Sequence, residues 1–194
     1  ALNDVESVVM DKTGTLTKGV FKVTEINVEN NVKINDFENN KTDLTQSLLL
    51  KYAAHIEKFS NHPIAQSIVS EYENSATKID ESIVKDFEEI SGFGIKANIN
   101  NHQILAGNSK LMNLENIKFT EKENLGTIIY IAFDGQYIGN ILISDEIKAD
   151  SPKAIKGMKA NGIKEIVMLT GDNNAIGKNI AQKLGIDKVF AELL

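Results

Sequence analysis

The amino-acid sequence predicts an α/β protein in which a parallel-sheet domain is interrupted by an antiparallel α+β domain. Three observations support this prediction. A short apolar segment at residues 5–10 is typical of a buried parallel strand. Residues 21–144 contain alternating apolar and polar stretches, as half-exposed antiparallel strands do. After Ser144 the predicted order is helix, strand, helix, strand. We therefore expect one domain at residues 1–20 and 145–194 and an inserted domain at residues 21–144.

The insertion is predicted to begin with a strand and two helices. The segment from residue 21 alternates as a strand, and the Asn-rich segment at residues 30–43 predicts a loop. Residues 42–60 indicate a helix, because apolar side chains recur there at helical spacing, at positions 44, 48, 52, 56 and 59. Residues 62–73 indicate a second helix with Pro63 in its first turn.

Short strands complete the insertion. Three of them are expected at residues 83–90, 94–99 and 102–107. A short helix is expected after Asn108, and residues 127–144 predict a hairpin that turns at Asp134 and Gly135.

The last part of the chain returns to alternating helices and strands. A helix is predicted at residues 151–163 with Pro152 in its first turn, and another at residues 171–186, ended by Gly185. Buried strands are predicted to begin at residues 165 and 188.

The composition excludes several classes of function. The 194 residues include no cysteine, so the chain can form no disulfide, thiolate metal site or catalytic thiol. Three histidines, at positions 55, 62 and 102, are too scattered to indicate a structural zinc site. The net charge of −6 argues against nucleic acid or an anionic membrane as the main partner. No apolar run approaches the roughly 20 residues that cross a bilayer, and no signal peptide is visible. The first residues resemble the start of a strand, so we expect a piece of a longer protein.

Asp11 ends the first predicted strand and opens the segment DKTGTLT, residues 11–17. Parallel sheets bind ligands at the carboxyl ends of their strands, and a carboxylate there can attack a phosphoryl group to form an aspartyl phosphate. Gly14 would allow a turn that directs backbone N–H groups at that phosphate. The other polar side chains would add donors or offset charge: Lys12, Thr13 and Thr15. The alternative is an ordinary turn with an incidental Asp and threonines.

A second polar segment, TGDN at residues 170–173, follows the strand that begins at residue 165. Thr170 could donate its hydroxyl to a phosphate oxygen beside the positive end of the next helix. Asp172 could cap that helix or orient a lysine or a water molecule. The alternative is a plain helix cap. A position beside Asp11 on a neighbouring parallel strand favours the phosphate site.

Together, DKTGTLT and TGDN resemble the phosphorylation domain of P-type ATPases, a branch of the haloacid dehalogenase superfamily. The resemblance implies a haloacid dehalogenase-like parallel sheet in which Asp11 accepts the γ-phosphoryl group of ATP. It implies that Mg2+ is held by Asp11 and by the carbonyl of Thr13. It assigns catalytic roles to Asp11, Lys12, Thr13, Thr170, Gly171 and Asp172. Thr13 stands where phosphatases of the superfamily carry a second Asp as general acid and base, so hydrolysis of the intermediate would be slow. This suits a pump and counts against a free-standing phosphatase, the first alternative.

The insertion contains residues that could bind a nucleotide base. His62 could stack on or hydrogen-bond an adenine, and Glu57 could accept from its amino group. The glycines at positions 92, 94 and 107 would let the backbone approach a flat ring. Taken singly, each feature is more often structural, since His-Pro commonly starts a helix and Gly-x-Gly commonly bends a hairpin.

In this order the same features resemble the nucleotide-binding domain of heavy-metal-transporting P-type ATPases. The resemblance implies contacts with ATP from Glu57, His62, Gly92, Gly94, Gly107 and Asn108. Asp145 and Lys148 resemble the segment by which the chain returns to the phosphorylation domain. A hinge that bridges to the nucleotide is implied there, and a solvated helix start is the alternative.

The resemblance also implies a metal exporter whose membrane and actuator domains are partners of this chain. The soluble fragment would then lie on the cytoplasmic side of the cell membrane. The amino acids at residues 11–26 and 143–148 resemble those of zinc, cadmium or lead exporters more than those of copper exporters. The family's later GDGxND motif does not occur in the chain. We therefore expect a truncated parallel sheet, self-association through its free edge and little turnover. A non-catalytic ATP-binding module is the second alternative.

Overall fold

The computed structural model describes residues 5–35, 40–75, 78–122 and 126–193, which divide into two compact units. Unit 1 comprises the described parts of Ala1–Val20 and Asp145–Leu194 together with Gly126. Unit 2 comprises the described parts of Phe21–Glu123 and Thr127–Ser144. Within these ranges no helix is both long enough and apolar enough to cross a membrane.

The strands and helices of the described chain follow one another as β1 (Ser7–Asp11), β2 (Thr17–Val28), β3 (Lys33–Asn35), β4 (Lys41–Asp43), α1 (Gln46–Glu57), α2 (Pro63–Glu73), β5 (Val84–Ile90), β6 (Gly94–Ile99), β7 (His102–Gly107), α3 (Ser109–Leu114), β8 (Thr127–Phe133), β9 (Gln136–Ile147), α4 (Ser151–Ala160), β10 (Glu165–Leu169), α5 (Asn174–Leu184) and β11 (Lys188–Phe190).

Unit 1 is built on a parallel sheet with the strand order β1-β10-β11. Asp11 lies opposite Leu169 at the carboxyl ends of β1 and β10. The helices α4 and α5 bury apolar side chains with one face of the sheet, in a cluster formed by Leu16, Ile155, Ile166, Met168, Ile176, Ile180, Ala181, Leu184 and Ile186. Because β1 and β10 are parallel neighbours, the segments 12–16 and 170–173 leave the sheet at the same edge.

Helix α5 shows how the sequence sets its own ends. The side chain of Asn173 accepts a hydrogen bond from the backbone N–H of Ile176 and caps the first turn. Gly185 follows the last turn in the left-handed region, with φ of 74°, which is the usual helix ending for glycine. The prediction that Asp172 could cap this helix is wrong, because the helix begins one residue later than that role requires.

Unit 2 is built on a six-stranded antiparallel sheet with the order β2-β9-β8-β7-β6-β5. Successive residues of a strand face opposite sides of a sheet, so Ile104 and Leu105 of β7 belong to different clusters. The cluster that contains Ile104 also holds apolar residues of α1 and α2, including Leu49, Ile56 and Ile68. The cluster that contains Leu105 packs against α3 through Leu111 and Met112. The predicted fold class, a parallel α/β sheet with an antiparallel α+β partner, is confirmed.

Two sequence predictions about unit 2 need correction. The expected loop at residues 30–43 contains the hairpin strands β3 and β4, with Ile34 paired to Thr42. Val32 and Ile34 are buried, because two apolar side chains at a spacing of two enter the core despite their polar neighbours. Residues 36–39 of that segment lie outside the described residues. The helix expected at residues 42–60 is confined to Gln46–Glu57, and Phe59 beyond its end is an exposed aromatic side chain.

We predict that Leu49→Ala lowers the free energy of unfolding of unit 2 by roughly 2–5 kcal/mol. Leu49 of α1 is 0% exposed in the apolar cluster between that helix and the sheet. Its truncation therefore removes buried methyl groups and leaves a cavity. The matched control is Leu114→Ala at the end of α3, where the side chain is 56% exposed. Chemical denaturation should show a change within about 0.5 kcal/mol for the control. Equal losses in both variants would contradict the described core.

Candidate functional site

Asp11 is an exposed carboxylate at the carboxyl end of β1. No described residue forms a hydrogen bond or ion pair with its side chain. The chain then turns sharply through residues 12–16, where Gly14 has φ of 78°. The backbone N–H of Gly14 donates to the Thr17 hydroxyl at 3.3 Å. The arrangement presents an unneutralised carboxylate at a strand end, suited to attack a phosphorus atom or to ligate a hard cation.

Lys12 is directed away from solvent, although the residue beside it is exposed. It is only 3% exposed, and its Nζ lies 2.7 Å from Asp172 Oδ2 and 3.6 Å from Asp145 Oδ2. The 2.7 Å contact is an ion pair that lacks good hydrogen-bond direction. The prediction that Asp172 could orient a lysine agrees with this geometry. The prediction that Lys12 offsets phosphate charge does not, because its ammonium group faces two protein carboxylates.

Asp145 holds the same turn from a third segment of the chain. Its side chain is 2% exposed, and Oδ2 accepts the hydroxyl hydrogen bond of Thr17 at 2.5 Å. Its Oδ1 is buried and has no hydrogen-bond partner within the described chain. The sequence motif contained Thr17 but gave it no role. Thr17 and Asp145 are 128 positions apart, so no local spacing could have predicted this contact.

Lys148 also binds the turn, so the alternative of a solvated helix start does not describe it. Its Nζ donates to the carbonyl oxygen of Gly14 at 2.6 Å, and its backbone N–H donates to that of Leu16 at 3.1 Å. The Ser151 hydroxyl donates to the same Leu16 carbonyl at 2.8 Å. The turn that follows Asp11 is therefore fixed by hydrogen bonds from Lys148 and from Ser151 at the start of α4.

Thr170 directly follows β10 as a buried residue, and its hydroxyl proton is available for a hydrogen bond. Its hydroxyl oxygen accepts from the Asp172 N–H at 3.1 Å, which leaves its own proton for another acceptor. Its backbone N–H donates to the Phe190 carbonyl. A Cβ atom at Gly171 would lie 3.0 Å from the Leu193 carbonyl oxygen, so the backbone is crowded there. The segment thus offers one hydroxyl beside the N-terminus of α5.

Unit 2 contains a cavity of about 250 Å³ between the end of α1, the start of α2 and the strands β5 to β8. Its wall includes all six residues expected to contact a nucleotide: Glu57, His62, Gly92, Gly94, Gly107 and Asn108. The rest is mainly apolar, with Ile64, Ala65, Ile90, Phe93, Ile95, Ala106 and Ile129 beside Ser60, Glu89 and Thr127. An apolar cavity with a few polar groups is the usual form of a small-molecule site.

His62 combines the two roles that its sequence left open. Its Nδ1 accepts a hydrogen bond from the Ile64 N–H at 3.2 Å and thereby caps α2. In the neutral ring this places the proton on Nε2, as assigned from the hydrogen bonds. The side chain also lines the cavity, so Nε2–H can serve as a donor to a ligand.

The backbone packing of the protein itself requires glycine at positions 94 and 107. They face each other in the register of β6 and β7. A Cβ atom would lie 2.2 Å from the Ala106 carbonyl oxygen at Gly94 and 2.3 Å from the Phe93 carbonyl oxygen at Gly107. Real Cβ atoms do not approach backbone so closely, so both positions exclude other residues. The floor of the cavity is therefore bare backbone.

Asn108 uses its side chain within the protein. Its Oδ1 accepts from the backbone N–H groups of Lys110 and Leu111 and caps α3. Its Nδ2 donates to the Gly92 carbonyl oxygen at 2.8 Å. Asn108 lines the cavity, but its polar atoms already have partners.

The fold strongly shifts the pKa of the Glu57 carboxyl group. It is 6% exposed, and burial raises the pKa of its carboxyl group to about 8, with a smaller contribution from the charge of Glu89. A carboxyl group with this pKa is mostly protonated at pH 7. The sequence marked Glu57 as an acceptor and gave no sign of this protonation.

The chain is similar over its whole length to known proteins. Residues 5–194 match the haloacid dehalogenase-like hydrolase family. The whole chain is 45% identical over 194 residues to the cadmium, zinc and cobalt-transporting ATPase of Bacillus subtilis (strain 168), of which it covers 26%. It is 43% identical over 194 residues, its full length, to the zinc-transporting ATPase of Synechocystis sp. (strain ATCC 27184 / PCC 6803 / Kazusa), of which it covers 25%. A copper-exporting P-type ATPase of Staphylococcus epidermidis (strain ATCC 12228 / FDA PCI 1200) is 37% identical over 199 residues, covering 98% of the chain and 22% of the relative. The chain thus spans about a quarter of the length of these curated relatives.

Solved structures agree with the fold. A zinc-transporting PIB-type ATPase in the E2.Pi state matches all of the chain and 30% of its own length, with a TM-score of 0.75 and 30% identity. The catalytic domain of the CPx-ATPase CopB-B, studied for its conformational changes upon nucleotide binding, matches 99% of the chain and 63% of its own length, with a TM-score of 0.71 and 28% identity.

The family match covers residues 5–194 and therefore includes both units and both sites. The chain belongs to the haloacid dehalogenase-like hydrolases, within the catalytic region of the heavy-metal P-type ATPases.

Proposed function

We propose that this chain is the ATP-binding and autophosphorylating part of a heavy-metal-exporting P-type ATPase. Residues 21–144 form its nucleotide-binding domain, and residues 1–20 and 145–194 belong to its phosphorylation domain. The observation that carries the proposal is the cavity of unit 2, whose wall holds all six residues chosen from the sequence for nucleotide contact. These residues come from α1, β6, β7 and the connecting segments around them, so their convergence supports a shared ligand.

Asp11 is proposed as the nucleophile. One of its carboxylate oxygens attacks the γ-phosphorus of ATP and forms a new O–P bond. The bond from the γ-phosphorus to the oxygen that bridges it to the β-phosphate breaks, and ADP leaves with that oxygen. The Thr170 hydroxyl is proposed to donate to the transferring group beside the N-terminus of α5. Thr13 supplies no carboxylate to activate water, which supports a long-lived aspartyl phosphate over a simple phosphatase.

Mg2+ fits the oxygen ligands beside Asp11. The Asp11 carboxylate would hold it together with the Thr13 carbonyl oxygen, and it would neutralise charge on the transferred phosphoryl group. The described residues contain no cluster of three or more His, Cys, Asp or Glu side chains that could hold a metal. Phosphate oxygens and water would therefore complete the coordination, which is common for this ion. Two hard oxygen ligands on the chain are enough for such a site.

The transported ion is proposed to be zinc or cadmium, with lead in the same class and copper as the alternative. The support is comparative, since relatives at 45% and 43% identity are named for zinc or cadmium and a copper exporter stands at 37%. The proposed partners are the membrane and actuator domains of the whole pump, on the cytoplasmic side of the membrane. Metal-stimulated ATP hydrolysis by the purified whole pump, measured with zinc, cadmium, lead and copper in turn, tests this choice.

Lys12 is proposed to position the Asp11 turn and to leave the phosphate charge to Mg2+ and backbone donors. Its ammonium lies between Asp145 and Asp172, which come from the other two segments of the site. This assigns Lys12 an indirect role, because it acts through the shape of the turn that follows Asp11.

Replacement of Asp11 by Asn is expected to abolish covalent labelling from γ-labelled ATP, because an amide cannot act as the nucleophile. The measurement is acid-quenched incorporation of label after a long incubation with Mg2+, since slow turnover is expected. The matched control is Asp150→Asn, an exposed carboxylate of unit 1 before α4 whose side chain caps nothing. The control should keep its label, and removal of Mg2+ should eliminate it. Label that survives Asp11→Asn would disprove the assignment of the nucleophile.

We expect the chain to bind ATP with Kd of about 0.1–1 mM and both His62→Ala and His62→Asn to weaken binding about tenfold, or about 1.4 kcal/mol. Both changes remove the Nε2–H donor from the cavity. Asn can still cap α2, whereas Ala cannot, so only His62→Ala should lower stability, by roughly 1 kcal/mol. Calorimetric titration and thermal unfolding separate the two effects. Unchanged affinity in the Asn variant would remove His62 from the site.

Replacement of Lys12 by Met is expected to lower the free energy of unfolding of unit 1 by roughly 3–5 kcal/mol, because two carboxylates lose their buried cation. The matched control is Lys153→Met on α4, where the lysine is exposed and a change within about 0.5 kcal/mol is expected. Chemical denaturation compares the two. A Lys12 variant that labels slowly at unchanged stability would instead make Lys12 a direct phosphate contact.

A further inference from the structure

Among the described residues that line the cavity of unit 2, two carry carboxyl groups and none is a lysine or arginine. Glu57 comes from the end of α1 and Glu89 from β5, and His62 is the other titratable residue in the wall. The parts of β6, β7 and β8 that line the cavity are apolar, glycine or threonine. A second carboxylate and an apolar wall both disfavour a negative charge on a buried acid.

Two lysines near α1 are already paired with other carboxylates. Lys58 pairs with Glu73 of α2, and Lys96 of β6 pairs with Glu115. His55 lies on α1 itself, where Nδ1 contacts the Lys51 carbonyl and Nε2 the backbone N–H of Asp80. Among the described residues, none donates a hydrogen bond to the carboxyl group of Glu57. The carboxyl group of Glu57 is therefore available to form hydrogen bonds with a ligand.

We propose that Glu57 binds the nucleotide base as a neutral carboxylic acid, donating its proton to a ring nitrogen while accepting a hydrogen bond from the neighbouring amino group. The inference rests on the proposed binding of ATP and deepens it. A neutral acid carries one donor beside one acceptor, whereas an ionised carboxylate carries acceptors only. Adenine presents its 6-amino donor between two acceptors, N1 and N7, so the neutral acid matches either edge.

Protonation also decides which base the cavity accepts. Guanine presents two neighbouring donors, its ring N1–H and 2-amino group, and these suit an ionised carboxylate. An ionised Glu57 would instead point its lone pairs at an adenine ring nitrogen. Keeping the acid neutral thus favours adenine and removes one source of preference for guanine.

The direction of the pH dependence follows from the same state. Burial and Glu89 raise the pKa of Glu57 to about 8, so the binding form dominates below pH 8 and is lost above it. Affinity should be nearly constant from pH 6.5 to pH 7.5 and roughly tenfold weaker at pH 9 than at pH 7, since each pH unit above the pKa removes a factor of ten of the protonated acid. Adenosine is the probe, because it has no phosphate that titrates in this range.

The first experiment measures adenosine Kd by NMR titration of the full chain at pH 7 and pH 9. The wild-type Kd should rise about tenfold, as above. Glu57→Gln keeps a donor beside an acceptor without a titrating group, so its Kd should not change between the two pH values. Glu89→Gln removes the neighbouring negative charge, so the pKa of Glu57 should fall and adenosine binding should weaken at a lower pH than in the wild type. A wild-type Kd that is constant or falls toward pH 9 overturns the proposal.

The second experiment tests the donated proton directly with base analogues at pH 7. Either 1-deazaadenosine or 7-deazaadenosine should bind roughly tenfold more weakly than adenosine, because one of them lacks the ring nitrogen that accepts the proton. That loss should disappear in Glu57→Ala, and a carboxyl ¹³C titration of Glu57 in the free protein gives its protonation without any ligand. If both analogues bind as tightly as adenosine, or if the Glu57 carboxyl group is ionised at pH 7, the proposal is overturned while ATP binding stands. If neither ATP nor adenosine binds at any pH, the proposed function fails, and this inference fails with it.

Discussion

A single buried ammonium group determines the form of the site in unit 1. Lys12 Nζ lies between Asp172 and Asp145, and Asp145 also accepts a hydrogen bond from Thr17. A buried charge is tolerated only when it is paired, so this cation requires the three segments that meet around it to keep their positions. The turn after Asp11 cannot move without separating them. Asp11 itself stays exposed and unpaired, and its carboxylate is left available as a nucleophile.

The cavity of unit 2 is formed mainly by backbone and apolar side chains. It has a bare backbone floor, because Gly94 and Gly107 face each other too closely for side chains. Its polar groups include a capping histidine and a buried acid, and none of the described residues in the wall is a lysine or arginine. Such a site suits a flat, uncharged base and offers nothing to a triphosphate. We propose that the phosphate chemistry belongs to unit 1, with Asp11 as nucleophile and the Thr170 hydroxyl as a donor.

Much of this was predictable because it depends on local pattern. Pro63 and Gly185 mark helix ends through backbone constraints that act on single residues, and DKTGTLT places Asp11 after a strand by simple order. The direction of Lys12 was not predictable, because its partners lie 133 and 160 positions away and a lysine beside a nucleophile suggests a phosphate contact. The protonation of Glu57 was hidden for the same reason, since it depends on burial beside Glu89. The hairpin of β3 and β4 was missed because its two buried side chains stand among asparagines.

We propose that Asp11 carries the phosphoryl group while the neighbouring carboxylates of Asp145 and Asp172 hold Lys12. The most direct measurement is hydride reduction of the chain after incubation with ATP and Mg2+, followed by peptide mapping, because reduction converts an aspartyl phosphate into homoserine. We expect homoserine at position 11 and unchanged aspartate at positions 145 and 172. Homoserine at either of those two positions, with intact aspartate at position 11, would contradict it.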